Sequence, residues 1–566
     1  MKPYFRRTTV GIFAGALSSP ALTYAIRNPV PALLCGIFLG ALYAASLRSA
    51  RGAYAENLMA GAALGIPLWG LISVVAIPVF AGQMPEWNAE GMRAHLPALV
   101  AWVLYGALFG LIYQAFSDLA AARWGPEAKA SVPVPSPLTH VVILGGGFAG
   151  MKTAQCLEEV FQKNISVHIT LVSETNALLF TPMLAEVAGS SLEPSHISTP
   201  LRSSLHRTEF VRGRVEGIDL EKRCVLLEGM NSPDGTSEPR QISYDQLVLA
   251  LGAVPNYLGM PNVERRAFNF KSLLDAIRIR NHIIEMFELA DREPDASRRA
   301  PLLTFVIAGG GFAGVELAGA LNDFAHGILA DYPNLNRDEV RVVLVHAGDR
   351  ILPELSESLG RYAQAKMAER GVQFRLNARV RDAHPGIVVL QDEEIRSETL
   401  VWTAGTTPST VIKALNVEKD KRGAVKVDEN LSVCARPGLW ALGDCAAVTD
   451  AKSGRPCPPT AQFALREAAT LASNLAARLA GQPSKGFHFD SMGALCVIGH
   501  QTACAELTVP FSRTRALRFS GLFAWLMWRG IYLSKLPGLE RKIRVLFDWT
   551  VELFFPRDIV QTIDLK

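Results

Sequence analysis

The hexapeptide GGGFAG occurs twice, at Gly145–Gly150 and at Gly309–Gly314, 164 positions apart. The first copy follows the apolar run HVVIL and opens into MKTAQCLEEVF; the second follows LTFVIA and opens into VELAGALNDF. An apolar run, a glycine turn and a segment with helical spacing make a strand–turn–helix unit, so the chain must contain two α/β units built alike. In G-x-G-x-x-G the first glycine makes a tight turn, the second lets a pyrophosphate approach backbone N–H groups, and the third lets helix and strand pack. The phosphates then sit at a helix N-terminus, where free donors and the macrodipole favour negative charge. Gly145, Gly147, Phe148, Ala149 and Gly150 are therefore candidates to hold one dinucleotide, and Gly309, Gly311 and Gly314 a second. Beyond the first loop, SVHITLVSE reads as the next strand and ends at Glu174, whose carboxylate can accept both hydroxyls of an adenosine ribose.

Ahead of both loops lie four apolar segments, near residues 8–26, 29–47, 57–82 and 95–116. Each approaches the roughly 20 residues a helix needs to cross a bilayer, and four in succession exclude a cleaved signal peptide. Each carries a G-x-x-x-G, starting at Gly11, Gly36, Gly61 and Gly106, and GIFAGAL against GIFLGAL has the look of an internal repeat. Paired small residues let membrane helices approach closely; the alternative is glycine that merely fills space in an apolar hairpin. Lys2, Arg6 and Arg7, then Arg48 and Arg51, then Arg123 and Lys129 flank one side, while Arg27 and Arg93 with Glu86 and Glu90 flank the other. Basic flanks remain cytoplasmic, so both ends of this module are expected there. No Asp, Glu or Lys falls within the four ranges, which points to an anchor or assembly surface rather than a pump. The stretch GPEAKASVPVPSPL, residues 125–138, has the composition of a stiff Pro-rich linker.

A net charge of +4 with no long basic run gives no reason to expect nucleic acid. The eight cysteines form no C-x-x-C, as expected for free thiols in a reducing compartment.

YDQLVLALGAVP from Tyr244 and PGLWALGDCAA from Pro437 each read as a strand running into a small-residue turn. With them the chain resembles the flavoprotein disulfide-reductase-like superfamily, which carries two dinucleotide-binding domains. That resemblance implies FAD on the first loop and a nicotinamide nucleotide on the second, with Gly252 in the turn near FAD and Gly443–Asp444 on its ribityl or phosphate region. Disulfide reductases of this fold need a close cysteine pair; none is evident here, so a dithiol relay is not expected. FTPMLAEVAG from Phe180, VWTAGTTPS from Val401, PPTAQFALREA from Pro458 and GLFAWLMWRGIYL from Gly521 narrow the resemblance to the type II NADH:quinone oxidoreductases, over residues 138–556.

That narrower resemblance implies that Glu316 and Gln462 face the flavin and the quinone head group, with Gly405 and Ala461 also beside cofactor. Quinone reduction takes up two protons, so a carboxylate early in the second helix could shuttle one while an amide orients the quinone carbonyl; the plainer roles are a favourable acid at a helix N-terminus and a buried amide. Two positions depart from the family pattern. His346 follows the strand RVVLV where an acid would grip the ribose of NADH; a neutral His can accept a hydrogen bond there, and Arg350 would tolerate a 2′-phosphate, so NADH is expected and NADPH left open. Arg466 stands where the family often has a second Gln. In the tail, aromatic and basic residues interleave from Phe519 to Phe555, suiting either a helix in the bilayer interface or a hairpin on the enzyme core.

The expected architecture is α/β: two Rossmann-like domains, for FAD and NAD, preceded by an all-α transmembrane module and followed by an amphipathic helical membrane tail. The expected divisions are a four-helix module at 1–124, the linker at 125–138, FAD domain parts at 139–296 and 406–485, the NAD(P)H domain at 297–405, and a membrane-associating region at 486–566. The expected function is transfer of two electrons from NADH through FAD to a membrane quinone, without proton pumping and without a metal. The expected setting is a respiratory chain at the inner (cytoplasmic) membrane, with a multi-pass anchor, the catalytic domain on the cytoplasmic side, and a homodimer left open. A sulfide:quinone oxidoreductase using Cys445 and Cys457, or a flavin-based membrane redox sensor, are the alternatives.

Overall fold

The structure, a computed structural model, describes residues 3–46, 54–85, 93–124, 138–162, 166–231, 237–508 and 516–561. The Pro-rich linker lies outside the described residues except for Leu138, as do Lys2, Arg48, Arg51, Lys129, Glu86 and Glu90.

The N-terminal region forms two helical hairpins. Helix α1 (Pro3–Ser18) continues through short turns to Ile26 and pairs with α2 (Pro29–Ser46). Helix α3 begins at Tyr54, passes through a π-helical segment at Trp69–Ala76, ends at Phe80, and pairs with α4 (Leu96–Trp124). The G-x-x-x-G glycines close these hairpins from within. A Cβ on Gly11 would lie 2.3 Å from Gly40 O, on Gly15 2.1 Å from Gly36 O, and on Gly61 2.0 Å from Gly106 O. The glycine faces are thus internal, and any contact with another chain must use a different surface. Three runs are long and apolar enough to cross a membrane, Arg6–Ile26, Tyr54–Phe80 and Leu96–Ala120, while α2 offers the shorter Pro29–Ala44. Two of these runs exceed the ranges read from sequence and take in Glu56 and Asp118, which corrects the expectation of acid-free spans. Between the hairpins a polar chain crosses the bundle: Tyr43 Oη donates to Asn57 Oδ1 (3.2 Å), Asn57 Nδ2 to Gln114 Oε1 (2.6 Å), and Gln114 Nε2 to Asp118 Oδ1 (3.0 Å).

Beyond residue 138 the chain builds the same unit twice. Strands β1 (Thr139–Leu144), β2 (Val167–Ser173), β3 (Glu209–Arg212) and β4 (Gln246–Leu249) belong to the first half. Strands β5 (Thr304–Ala308), β6 (Arg341–Val345), β7 (Val372–Arg375) and β8 (Thr399–Trp402) belong to the second, and β9 (Leu439–Ala441) returns to the first. The first sheet is parallel in the order β9–β4–β1–β2–β3. The second is parallel in the order β8–β5–β6–β7, with Phe268–Asn269 on its edge. The strands read as unbroken apolar runs because parallel sheets are covered on both faces. Helices α5 (Phe148–Val160) and α6 (Phe312–Gly327) follow the two glycine turns, and α7 (Ala461–Leu479) packs on α5. The halves are coupled by an antiparallel pair, Ala253–Pro255 with Thr406–Pro408.

A second type of sheet closes the chain. Strands β10 (Gly493–Gly499), β11 (Thr502–Thr508) and β12 (Ala516–Ser520) form an antiparallel meander. Its two faces alternate with period two. Cys496, Ile498 and Cys504 join the core of the second half, whereas Ala503 and Ala505 join a cluster with Trp69, Val74 and Trp102 of the N-terminal module. Helix α8 (Gly521–Lys535) is likewise two-sided: Trp528 and Leu533 face the enzyme core, while Phe523, Trp525 and Met527 face the module. The expectation of an interfacial tail is therefore corrected for α8, which is a core helix between two protein bodies. Helix α9 (Leu539–Val551) is amphipathic, and Ile543, Leu546 and Phe547 are 54%, 46% and 68% exposed, followed by exposed Leu553, Phe554 and Phe555.

Candidate functional site

At the first glycine turn, Gly145 has φ +109° and a Cβ there would lie 2.2 Å from Ala250 O, so the turn needs glycine and abuts the Ala250–Gly252 turn. A Cβ on Gly150 would lie 1.8 Å from Gly145 O, which is the close helix–strand approach the motif requires. Gly147 is different. It caps the N-terminus of α5 without a side-chain cap, and its Cβ direction is open, with no atom within 4 Å. Free N–H donors facing open space make a cradle that fits a pyrophosphate. Gly443 closes the group from the other side, its Cβ position 3.2 Å from the Ala149 methyl. Asp444 follows, raised from its ordinary pKa by burial and opposed by Lys271, whose Nζ is 3.8 Å away. Glu174 stands exposed just past β2. The first-loop candidates, Gly252 and Gly443–Asp444 therefore converge on one cradle, and its donor set fits FAD. Sequence reasoning passed over Glu467, whose Oε2 accepts the Gly443 N–H at 2.8 Å and whose carboxyl is pushed up to about 7 by burial.

The second turn repeats the backbone: Gly309 has φ +122°, and a Gly314 Cβ would lie 1.8 Å from Gly309 O. Gly311 caps α6, with a Glu354 carboxylate oxygen 3.1 Å from its Cβ position. Gly405 accepts from the Asn256 N–H (3.1 Å) where the chain crosses between halves. His346 is not where its sequence position suggested. Gly145 N donates to Val172 O and Gly309 N to Val345 O, both at 2.8 Å, so His346 is the counterpart of Ser173 and Ala347 that of Glu174. The imidazole lies under the loop, Nδ1 accepting the Gly310 N–H at 3.1 Å. Burial lowers its pKa, against the pull of Asp349, so the neutral ring carries its proton on Nε2 and can only donate. The expectation that His346 accepts from a ribose is corrected. Arg350 is also committed, its guanidinium donating to the carbonyls of Leu352, Leu355 and Pro353. The second-half counterpart of Glu174 is thus an alanine, not a carboxylate; Asp349 lies exposed two residues beyond it.

On the far side of α7, Ala461 and Gln462 form its first turn. Both N–H groups of the Gln462 amide are engaged, to Ser491 Oγ (3.2 Å) and Gly493 O (3.4 Å), and its oxygen accepts Met492 N–H (3.1 Å). Such an amide cannot also donate to a quinone carbonyl; it holds the 491–493 turn. Arg466, one turn on, stacks over Phe489, 5.4 Å from the ring centre. Glu316 meets the other end of β10, accepting the Val497 N–H at 3.4 Å. Four residues of strand, about 13 Å, separate the two contact points on β10, so Gln462 and Glu316 meet the sheet at different places.

Glu316 lines a partly open cavity of about 30 Å3, enough for a water. Its walls bring together groups that the sequence reading did not combine. Arg529 Nη2 donates to Glu552 (2.6 Å) and lies 4.0 Å from Glu186, while Trp549 Nε1 donates to Glu186 (3.2 Å). The Arg529 guanidinium lies 3.8 Å over the Trp525 ring. Arg529 Nε is buried with no hydrogen-bond partner, and the Trp528 indole faces the Glu316 carboxyl. Desolvation chiefly, then the charge of Glu186, pushes the Glu316 carboxyl up to about 8 against the Val497 N–H; Glu186 itself is pushed up to about 7 by burial. The legible signal was a lone Arg in GLFAWLMWRGIYL and a lone Glu in TPMLAEVAG.

Cysteine chemistry finds little support. Cys496 and Cys504 are cross-strand neighbours, a pairing invisible as C-x-x-C, yet both are fully buried with thiols pushed up, Cys504 to about 12. Cys445 and Cys457 are also pushed up to about 12, so neither is a ready nucleophile at neutral pH. Among the described residues no His/Cys/Asp/Glu group suits a metal.

A family model described as pyridine nucleotide-disulphide oxidoreductase matches residues 139–468, and one described as NDH2 C-terminal domain matches residues 492–558. A type II NADH:quinone oxidoreductase of Mycobacterium tuberculosis is 33% identical over 438 residues, covering 74% of this chain and 89% of that protein. A probable NADH dehydrogenase of Dictyostelium discoideum is 33% identical over 427 residues, covering 74% and 90%. The fold is similar to that of NDH2 from Plasmodium falciparum in complex with NADH, with TM-score 0.67, 18% identity, and coverage of 75% of this chain and 100% of that one. Residues 1–138 lie outside both family models.

Proposed function

We infer, from the premise that the chain belongs to the type II NADH:quinone oxidoreductases, how its residues divide the work of that reaction. The enzyme oxidises NADH and reduces a quinone without pumping protons, and FAD, when bound, supplies the two-electron relay between them. Gly145, Gly147, Phe148, Ala149 and Gly150 would hold the FAD pyrophosphate, Glu174 its adenosine ribose, and Gly252, Gly443 and Asp444 the ribityl side. Gly309, Gly311, Gly314 and Gly405 would receive the nicotinamide nucleotide. With Ala347 at the ribose position, nothing repels a 2′-phosphate there, so NADPH should be a usable donor beside NADH.

Glu316 would hold a proton for the reduced quinone, and Gln462 with Ala461 would fix the 491–493 turn as one wall of the quinone's approach. The observation that carries this reading is the buried Glu316 carboxyl lining a cavity between the second half and the C-terminal sheet, where burial pushes its pKa up to about 8. The enzyme is membrane-associated. Its apolar helices would make it a multi-pass protein of the inner (cytoplasmic) membrane, with Arg6, Arg7 and Arg123 and the catalytic body on the cytoplasmic side. The exposed edge of α9 would lie in the same bilayer surface, and a homodimer, if formed, would use a face other than the internal glycines. Anaerobic stopped-flow mixing with NADH and then a quinone tests the reading: the flavin should bleach and then recover, and recovery that needs oxygen instead of quinone would overturn it.

A further inference from the structure

Residues 1–138 lie outside both family models, and the described part of this region is not merely tethered to the enzyme. Helix α3 lies along α8, and two glycines set the contact from opposite sides. A Cβ on Gly70 of α3 would fall 1.9 Å from Phe523 Cε2, so the Phe523 ring rests directly on the Gly70 backbone. A Cβ on Gly530 of α8 would fall 3.0 Å from Ile66 Cδ1 and 3.2 Å from Ala63 O.

The local chemistry of α3 explains both. Pro67 has no N–H, so the Ala63 carbonyl loses its usual helical donor, and it is this carbonyl that faces Gly530. The helix then widens into the π-segment Trp69–Ala76, which contains Gly70. Such widenings are uncommon and concentrate at functional places. Two indoles brace the segment: Trp69 Nε1 donates to His95 O and Trp102 Nε1 to Ser73 Oγ, both at 2.9 Å.

Helix α8 carries this contact straight to the cavity. Phe523 faces the module; Trp525, Trp528 and Arg529, two to six residues on, line the cavity with Glu316. Trp528 packs 4.7 Å from Tyr532, ring to ring, and Arg529 holds Glu552 and Glu186.

We propose that the N-terminal module is a positioning element of the quinone half-reaction: through Gly70 against Phe523 and Gly530 against Ile66, it sets the placement of α8 and hence the walls of the Glu316 cavity. This rests on the quinone reading above. Gly70 and Phe523 touch no substrate; they act through α8. A misplacement on the ångström scale at such a wall is enough to cost one to two orders of magnitude in rate.

The test uses full-length protein in native membranes and a decyl-chain benzoquinone, timing each half-reaction anaerobically across pH 6–9. Gly70→Val drives a side chain into the Phe523 ring, Phe523→Ala vacates that space, and the double variant combines both. Each single variant should slow quinone-driven reoxidation by about tenfold or more and displace its pH profile, with NADH-driven reduction within about twofold. The double variant should regain most of the lost rate and the wild-type profile. Single variants matching wild type in quinone rate and pH profile would overturn the proposal, as would equal loss in the NADH half or a double variant no better than either single. If Gly70→Val does not accumulate with flavin, Gly530→Val with Ile66→Ala applies the same criteria at the second contact. A wild-type enzyme that the quinone fails to reoxidise would instead reject the quinone reading itself.

Discussion

Replacing Glu316 by Gln should remove a pH dependence that the structure ties to one carboxyl. Burial pushes this group from its ordinary value of 4.5 to about 8, with Glu186 adding to the effect and the Val497 N–H opposing it. At pH 7 roughly nine in ten copies would be protonated, ready to give up a proton. Above pH 8 the proton is gone, and quinone-driven reoxidation of the wild type should fall. The same shift bears on stability. Between pH 4.5 and about 8 the folded state binds more protons than the unfolded one, so stability declines through that window and levels off above it. A gap of that size corresponds to about 5 kcal/mol as an upper bound. Gln keeps the shape and cannot ionise. Glu316→Gln should therefore gain stability relative to wild type as pH rises from 5 to 8, while its quinone half-reaction slows and loses its decline near pH 8. Both are measurable on one preparation, by thermal release of flavin fluorescence and by stopped-flow reoxidation. A variant that keeps the wild-type decline above pH 8 would place the proton source elsewhere.

Four further outcomes are expected. Gly147→Val should fill the open cradle at α5 and yield colourless protein; full flavin absorbance would contradict the FAD assignment. Ala347→Glu should lower kcat/KM for NADPH at least tenfold more than for NADH, about 1.4 kcal/mol in transition-state terms, whereas His346→Glu should harm both nucleotides by replacing the ring packed under Gly310 with a flexible charged chain; comparison of flavin reduction rates separates the two. Arg529→Met should cost up to about 3 kcal/mol by removing a buried charge-assisted hydrogen bond to Glu552, with Arg557 remaining 3.3 Å from the same carboxylate, read as a lowered melting temperature. Deleting residues 1–130 should leave a flavoprotein that sediments with membranes and needs detergent, since α9 remains and the module-facing side of α8 becomes exposed; recovery wholly in the soluble fraction would refute the tail's role.

The features legible in the sequence were those whose cause is local. A glycine turn between an apolar run and a helix announces itself within a dozen residues, and so do the G-x-x-x-G pairs. What escaped was decided by contacts between distant segments. Helix α8 is apolar on two sides, and no periodicity distinguishes a helix lying on lipid from one wedged between the module and the enzyme core. Glu186, Arg529 and Glu552 lie hundreds of positions apart or in different elements, so the cavity they build has no linear signature. Gln462 was expected to face the quinone, but its hydrogen bonds go to a turn that only the packed C-terminal sheet brings near.

His346 shows most clearly how a local reading can be right in kind and wrong by one residue. The two halves share the donor–acceptor pattern that joins each first glycine to the end of the neighbouring strand. Counting from that hydrogen bond, the first residue beyond the strand's last inward valine, Ser173 or His346, turns under the glycine loop, and the next, Glu174 or Ala347, is exposed. In the first half the inward residue is small and the outward one is an acid, which suits a dinucleotide held by its ribose. In the second half the inward residue is a ring that supports Gly310 and the outward one is a methyl group, which leaves the nucleotide held mainly by backbone and helix terminus. A tightly gripped nucleotide suits a cofactor that stays, and a loosely gripped one suits a co-substrate that must leave after each turnover. The repeated hexapeptide thus sets two turns of the same backbone shape, and under the proposed assignment the Glu174 and Ala347 positions would give the two nucleotides different lifetimes.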